Sequence, residues 1–415
     1  MASTVVTDRD VLTGWGAFGG GEGDDPYPLY ARVREEAPVR PVVLADGRPA
    51  WIVTGYDEAR QALLDPRLVK GVEKVLAARP DLLPYGLSHP LFGHHMLAAD
   101  GADHTRLRRL VGDTFTTARM AVLRPRVEDI VDELFDRLEA AASADPAAPL
   151  DLLAGFALPL PITVIFELLG IPLADRGRLR SWFETIFANP TAPATDPQAR
   201  AAADETHRYL SALIAAKRTA PADDLLSALA IETKGGLDEA EVLSTAWLLI
   251  VAGHETTVNL IGNGLVALLR HPDQLTRLRS DLSLVPRAVE EFLRFDGPVQ
   301  HATFRMTTEP VTIGATLIPA HEQVLVVVAA ANRDPDRFGD PDRLDIGRAG
   351  PRHVAFGHGI HFCLGAPLAR LEGDVAFTSI LRRFPRLRPA LPPDQVHWTY
   401  RLTLRSLVSL PVFLL

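Results

Sequence analysis

The feature that most restricts the fold is one helical stretch running from Asp238 to Arg270. Gly235-Gly236 interrupts the chain ahead of it, and Asp238 is placed to cap it. Glu241 is the capping-box partner and Leu237 with Val242 form a staple. His271-Pro272 ends it. At 1.5 Å per residue such a helix is about 48 Å long. Its centre, Ala246-Trp247-Leu248-Leu249-Ile250-Val251-Ala252, is apolar on every side, so it needs protein all round it. A chain built on that element has to be large and mainly helical. Directly after the apolar centre comes Gly253-His254-Glu255-Thr256-Thr257. An acid and two hydroxyls inside a buried helix are unfavourable unless paired. Threonine bonding back to a carbonyl one turn earlier would bend the helix there. The other reading is a groove that admits a small ligand and protons.

The chain has a single cysteine, Cys363, inside Phe356-Gly357-His358-Gly359-Ile360-His361-Phe362-Cys363-Leu364-Gly365. A lone thiol is commonly a small buried hydrophobe. This one is bracketed by Gly359 and Gly365, which allow positive φ and the close approach of a flat group to the backbone. Leu364, Leu368, Leu371 and Val375 follow at helical spacing, so Cys363 sits just before a helix start, where the dipole favours a thiolate. An axial sulfur bond to haem iron requires such a setting.

The net charge of −9 argues against a nucleic-acid partner. One cysteine allows no internal disulfide, which removes any sign of an oxidising compartment. Residues 1–25 lack a basic start followed by an apolar run, and no apolar stretch is long enough to span a bilayer. The expectation is a cytoplasmic monomer with no membrane contact, its first 25 residues a loose arm and residues 1–415 a single domain.

Along the chain, a short helix around 28–34 precedes a hairpin, Val39–Leu44 and Trp51–Thr54. Residues 71–97 form a long Pro- and Gly-rich loop, and such loops are usually functional. It contains His94-His95, either a metal pair or two ordinary loop histidines. The helix at 104–111 is basic, with His104 and Arg108 on one face and Arg106 and Arg109 on another. Further helices are predicted over 125–141, 158–169, 173–187, 198–218 and 285–295. The Pro-rich crest at 186–197 joins two of them, as a hinged cover or an ordinary helical hairpin. Glu291 and Arg294 stand at i, i+3, the spacing of a surface pair. Strand-like pieces follow at 303–307, 311–313 and 323–328, and those at 398–404 and 407–413 predict a terminal hairpin. The fold class is mainly α with small β-sheets (α+β).

Taken together, these motifs resemble cytochrome P450 monooxygenases over nearly the whole chain. The cysteine loop is similar to the family's haem-binding loop, and Ala252-Gly253-His254-Glu255-Thr256-Thr257 to its oxygen-binding groove. Glu291-Phe292-Leu293-Arg294 resembles the Glu-x-x-Arg element, and His104-Thr105-Arg106-Leu107-Arg108 the haem-contacting helix of bacterial members. The wording at 252–260 and at 330–335 is similar to actinomycete enzymes that oxidise polyketides and other secondary metabolites. The resemblance implies haem b (iron protoporphyrin IX) on the Cys363 thiolate. Phe356, Gly357 and Gly365 would shape the loop, and Ala252 and Gly253 the distal groove. His104, Arg108, Arg305 and His361 would meet the haem propionates. Glu255 would deliver protons to dioxygen, and Thr256 would hold a hydrogen bond to it. Glu291 and Arg294 would be a structural ion pair, completed by Asn332 or Arg333. Leu248, Val251, Ala252, Val299, Ala302 and the stretch 402–404, Leu404 included, would line a pocket for a lipophilic small molecule. Arg106, Arg109, Arg119 and Arg370 would dock an acidic ferredoxin, supplied by a separate ferredoxin reductase. The implied reaction is hydroxylation or epoxidation of a bulky macrolide- or polyketide-like natural product. The competing readings are a peroxide-driven peroxygenase, a haem sensor or recruitment protein, and a cysteine hydrolase with His361 as base. The intact Glu255–Thr256 pair argues against the first two, and the third leaves the other motifs without a role.

Overall fold

The computed structural model describes residues 12–15, 25–45, 47–71, 89, 91–187, 196–231, 236–350, 352–400 and 403–414. The chain begins with β1 (Leu12–Trp15), α1 (Tyr27–Glu36), β2 (Val39–Leu44), β3 (Pro49–Val53), α2 (Tyr56–Leu64) and β4 (Leu68–Val69). A helical run follows: α3 (Gly101–Gly112), α4 (Thr117–Ala144), the short β5 (Leu150–Asp151), α5 (Pro159–Leu168), α6 (Leu173–Phe187), α7 (Pro197–Thr219) and α8 (Leu225–Ala230). Then come α9 (Glu239–Arg270), α10 (Pro272–Ser280) and α11 (Val285–Asp296). Next are β6 (Arg305–Thr307), β7 (Val311–Ile313), β8 (Thr316–Ile318), β9 (Gln323–Val326) and α12 (Val328–Ala331). The last elements are α13 (Ala366–Arg383), β10 (Arg388–Pro389), β11 (Trp398–Tyr400), β12 (Arg405–Leu407) and β13 (Pro411–Phe413).

By its contacts the chain separates into two units. One is Met1–Leu68, Met120–Pro161 and Glu255–Leu415; the other is Val69–Arg119 and Ile162–His254. The first contains a mixed sheet ordered β1-β2-β3-β9-β6-β4. Residues alternate across it. Trp51, Val53, Val324 and Val326 pack with Tyr56, Ala59, Ala62 and Leu63 of α2. Ala50, Ile52, Leu325 and Val327 pack with Tyr27, Tyr30 and Val33 of α1, the split that a period of two requires. The second half of α9 packs closely against α11 and α13: a Cβ on Gly264 would lie 2.6 Å from Phe377 and 2.9 Å from Phe292. That contact fixes the base of α13, and hence the loop that leads into it. In the second unit α6 packs on α7, which Asp196 caps by accepting the Gln198 N–H at 2.8 Å.

Several expectations need correction. Part of the N-terminal arm is ordered: Leu12–Trp15 pairs in parallel with β2. Helix α4 starts at Thr117, so Pro125 lies inside it; one missing donor is outweighed by the buried stripe Val127, Ile130, Val131, Leu134 and Phe135. The terminal hairpin is β11 with β12, and β13 pairs with β5 and β10 instead. The 71–97 loop lies outside the described residues at 72–88 and 90, as does the crest at 188–195 and Leu402. Among the described residues no helix is long and apolar enough to cross a membrane.

Candidate active site

Helix α9 starts as its sequence dictates. Asp238 accepts the Glu241 N–H at 2.8 Å and Glu241 accepts the Asp238 N–H at 2.9 Å, a reciprocal capping box. The helix is unbroken through Gly253–Thr257. Between Val242 and Leu268 it is buried except for one strip: Leu248, Val251, Gly253, Glu255 and Thr256 are half-buried and Ala252 is exposed, whereas Trp247, Leu249, Ile250, His254 and residues 257–261 are buried. Spacings of three and four residues put most of the strip on one face. The neighbouring hydroxyl, Thr257, faces inward and hydrogen-bonds the carboxyl of Glu372 on α13. Burial pushes the pKa of that carboxyl up to about 8, against the hydrogen bond. Glu372 thus stays protonated at neutral pH. Nothing in its local sequence pattern differs from that of an exposed helical glutamate.

In the same unit, the Cys363 N–H donates to the Phe356 carbonyl at 2.8 Å, closing the loop, and the thiol is exposed. Helix α13 begins three residues later with Pro367 in its first turn. Its uncompensated N–H groups and dipole favour negative charge at the sulfur. Positive φ is found at Gly357 (+74°) and Gly359 (+75°). A Cβ at Gly359 would come 2.9 Å from the Leu63 carbonyl oxygen, so that glycine serves the approach of α2 to the loop. Gly365 has φ −77°, and a Cβ there would lie 3.9 Å from Sγ. His361 and Phe356 are half-buried.

The loop is braced from behind. Glu291 accepts two hydrogen bonds from Arg294, at 2.7 and 2.8 Å, and one from Arg348 at 3.1 Å. Arg294 also donates to the carbonyls of Asn332, Pro341 and Arg343. Asn332 Oδ1 takes the Val354 N–H at 2.7 Å, just ahead of the loop. Arg348 therefore completes the pair, not Arg333, whose guanidinium goes to the Phe295 carbonyl and Asp342. Of the expected pocket residues in this unit, Val299 and Leu404 face each other across an antiparallel bridge, and the Ala302 N–H donates to Val326. All three are half-buried.

The second unit carries the basic helix α3. His104 is buried and Arg108 half-buried. Burial, then the charges of Arg108 and Lys70, lower the His104 pKa. Lys70, which no local pattern singles out, is buried beside His104. Asp100 accepts the backbone N–H groups of Lys70 and Gly71 at 3.0 and 2.6 Å. Arg106 pairs with Glu241, and in the first unit Arg370 pairs with Glu290; both are half-buried, and Arg109 and Arg119 are exposed. His94 is exposed, while burial lowers His95 to about 4. Among the described residues no group of three or more His, Cys, Asp or Glu could hold a metal ion. An aromatic cluster joins Phe92, Trp247, Phe183 and His254 at centroid distances of 5.2 to 6.2 Å.

The donor set suits a haem. The first unit by itself supplies an accessible thiol at a helix start and the buried Arg305, donors of the kind that an iron and a carboxylate take.

Comparisons agree. The family model described as cytochrome P450 matches residues 46–404. The chain is 48% identical to the cytochrome P450 monooxygenase PikC of Streptomyces venezuelae, covering 96% of this chain and 93% of that protein. It is 43% identical to 6-deoxyerythronolide B hydroxylase of Saccharopolyspora erythraea, covering 94% and 96%. The solved structure of the tirandamycin C-bound P450 monooxygenase TamI superposes with a TM-score of 0.86 at 44% identity, covering 97% of this chain and 100% of that one. With an exposed thiol at a helix start, a braced loop behind it and these relatives along almost its full length, the chain belongs to the cytochrome P450 family: it is a haem-thiolate monooxygenase whose axial ligand is Cys363.

Proposed function

We propose that the enzyme hydroxylates or epoxidises a bulky lipophilic natural product of the macrolide or polyketide class. The observation that carries this reading is the half-exposed strip on α9, in which Leu248, Val251 and Ala252 lead to Glu255 and Thr256. PikC and 6-deoxyerythronolide B hydroxylase, both above 40% identity, support the substrate class. When bound, haem supplies the iron that activates dioxygen for insertion into a C–H or C=C bond. Ala252 and Gly253, together with Phe356, Gly357, Gly365 and Cys363, would seat it, and His104, Arg108, Arg305 and His361 would hold its propionates. The chain's own residues do the rest. Leu248, Val251, Ala252, Val299, Ala302 and Leu404 exclude water and orient an apolar substrate with few polar contacts. The Glu255 carboxyl delivers a proton and Thr256 Oγ1 passes it on. Adjacent positions on a helix do not face each other, so the transfer runs through a water.

In this reading residues 1–415 act as one domain, a cytoplasmic monomer fed by an acidic ferredoxin and its reductase, with Arg109 and Arg119 left for docking. The reduced carbonyl complex should show the long-wavelength Soret band of thiolate ligation. Titration with a panel of macrolides, linear polyketides and terpenoids should then give a low- to high-spin shift with the macrolide or polyketide members. A shift confined to the terpenoids would reject the substrate class.

A further inference from the structure

Phe356 is held from two sides, by Arg370 and by His353, both tied to Glu290. Arg370, on the second turn of α13, places its guanidinium 4.6 Å from the Phe356 ring centroid. It donates to Glu290 through Nε at 2.6 Å and through Nη2 at 2.9 Å. The same carboxylate lies 3.2 Å from His353 Nε2. His353 Nδ1 accepts the Ala355 N–H at 3.2 Å, so the ring carries its proton on Nε2, toward Glu290. The His353 ring in turn lies 5.9 Å from that of Phe356. Phe356 is the residue whose carbonyl takes the Cys363 N–H, and its ring also meets Phe362 at 6.1 Å.

A half-exposed ion pair ordinarily contributes little. This one differs in geometry. It is bidentate, its carboxylate has a second donor, and its cation is stacked on the aromatic that abuts the ligand loop. Burial opposes ionisation of Glu290, yet the hydrogen bonds from His353 and Arg370 outweigh it and hold its pKa down at about 2. The carboxylate therefore balances Arg370 throughout the working pH range.

We propose that Glu290 and Arg370, with His353 holding Glu290 in place, are positioning residues for the cysteine loop: they clamp Phe356 and keep the charge beside it balanced, and so set the reduction potential of the haem-thiolate pair. Reduction adds one negative charge there. An uncompensated Arg370 would favour the reduced state, and an uncompensated Glu290 would disfavour it. The inference rests on Cys363 ligation alone. It uses neither the substrate class nor the Glu255–Thr256 relay, and it is read without substrate.

The test is a spectroelectrochemical titration of the substrate-free holoenzyme, with the reduced carbonyl band as a check of thiolate ligation in each variant. Glu290→Gln should move the midpoint potential upward and Arg370→Gln downward. The double variant should return close to wild type, and Arg370→Lys, which keeps the charge, should stay there. Shifts of the same sign, or no shift with the thiolate band intact, would overturn the proposal and leave the cluster a surface tie. Should Glu290→Gln lose haem, the Arg370 pair decides: Lys must keep the potential and Gln must lower it.

Discussion

Glu291 and Arg294 keep only 3% and 2% of their side-chain surface exposed, whereas Glu241 and Arg106 keep 14% and 34%. Each acid serves a bidentate arginine and a backbone N–H. Their surroundings differ. The first pair reaches into three backbone carbonyls and a second arginine, and through Asn332 to the segment ahead of the cysteine loop. The second ties α3 to the capping box of α9 in reach of water. Removing one partner of a buried pair strands a charge that has no solvent to turn to; removing one partner of the other merely exposes it. Similar chemistry therefore predicts unlike consequences.

The sharpest way to break the contrast is Glu291→Gln, which should destabilise the protein by about 3–5 kcal/mol. Loss of the thiolate carbonyl band together with a lowered melting temperature would register it; a variant that melts like wild type would show that the network is redundant. Helix α9 repeats the contrast between neighbours, since Thr257 is buried against Glu372 and Thr256 is half-exposed. Glu255→Gln should slow product formation by about 100-fold. Thr256→Ala should keep electron consumption while diverting it to peroxide, measured as product formed per reducing equivalent. Unchanged coupling would remove Thr256 from the relay.

Glu372 gives the contrast a pH axis. Its folded pKa of about 8 lies above the ordinary 4.5, so the native state holds the proton more tightly than the unfolded chain. Its contribution is fully present below about 4.5 and is lost as the pH rises through about 8. Melting temperatures across that window should fall more steeply in wild type than in Glu372→Gln, and parallel curves would refute the assignment. The smallest effect belongs to Arg106→Ala, about 1 kcal/mol or less, shrinking further with added salt. Hydrogen bonding to Arg106 leads the lowering of the Glu241 pKa. The pair's stabilisation is therefore present above the ordinary glutamate range and fades on acidification, and the variant should lose that acid dependence.

Much of the frame was legible because it depends on near neighbours. The capping box, the apolar centre of α9 and the hairpin of β2 and β3 are set by residues within a turn or two of one another. The cysteine loop could be read as a ligand loop for the same reason. The roles of charged side chains could not. Arg106 and Arg370 look free in a helical pattern and are both engaged; Arg348 completes Glu291 from 57 positions away; Glu372 and Lys70 carry no local mark of burial.

That a long helix had to be wrapped in protein and that one thiol stood at a helix start could be read from residue order alone, because helix capping, apolar periodicity and a glycine-framed cysteine are short-range facts. Which acid keeps its proton, which arginines are occupied and which of two adjacent threonines faces inward emerge with the folded chain. Those outcomes depend on desolvation and on partners brought together from distant parts of the chain, and a charge shows neither until the fold has closed around it.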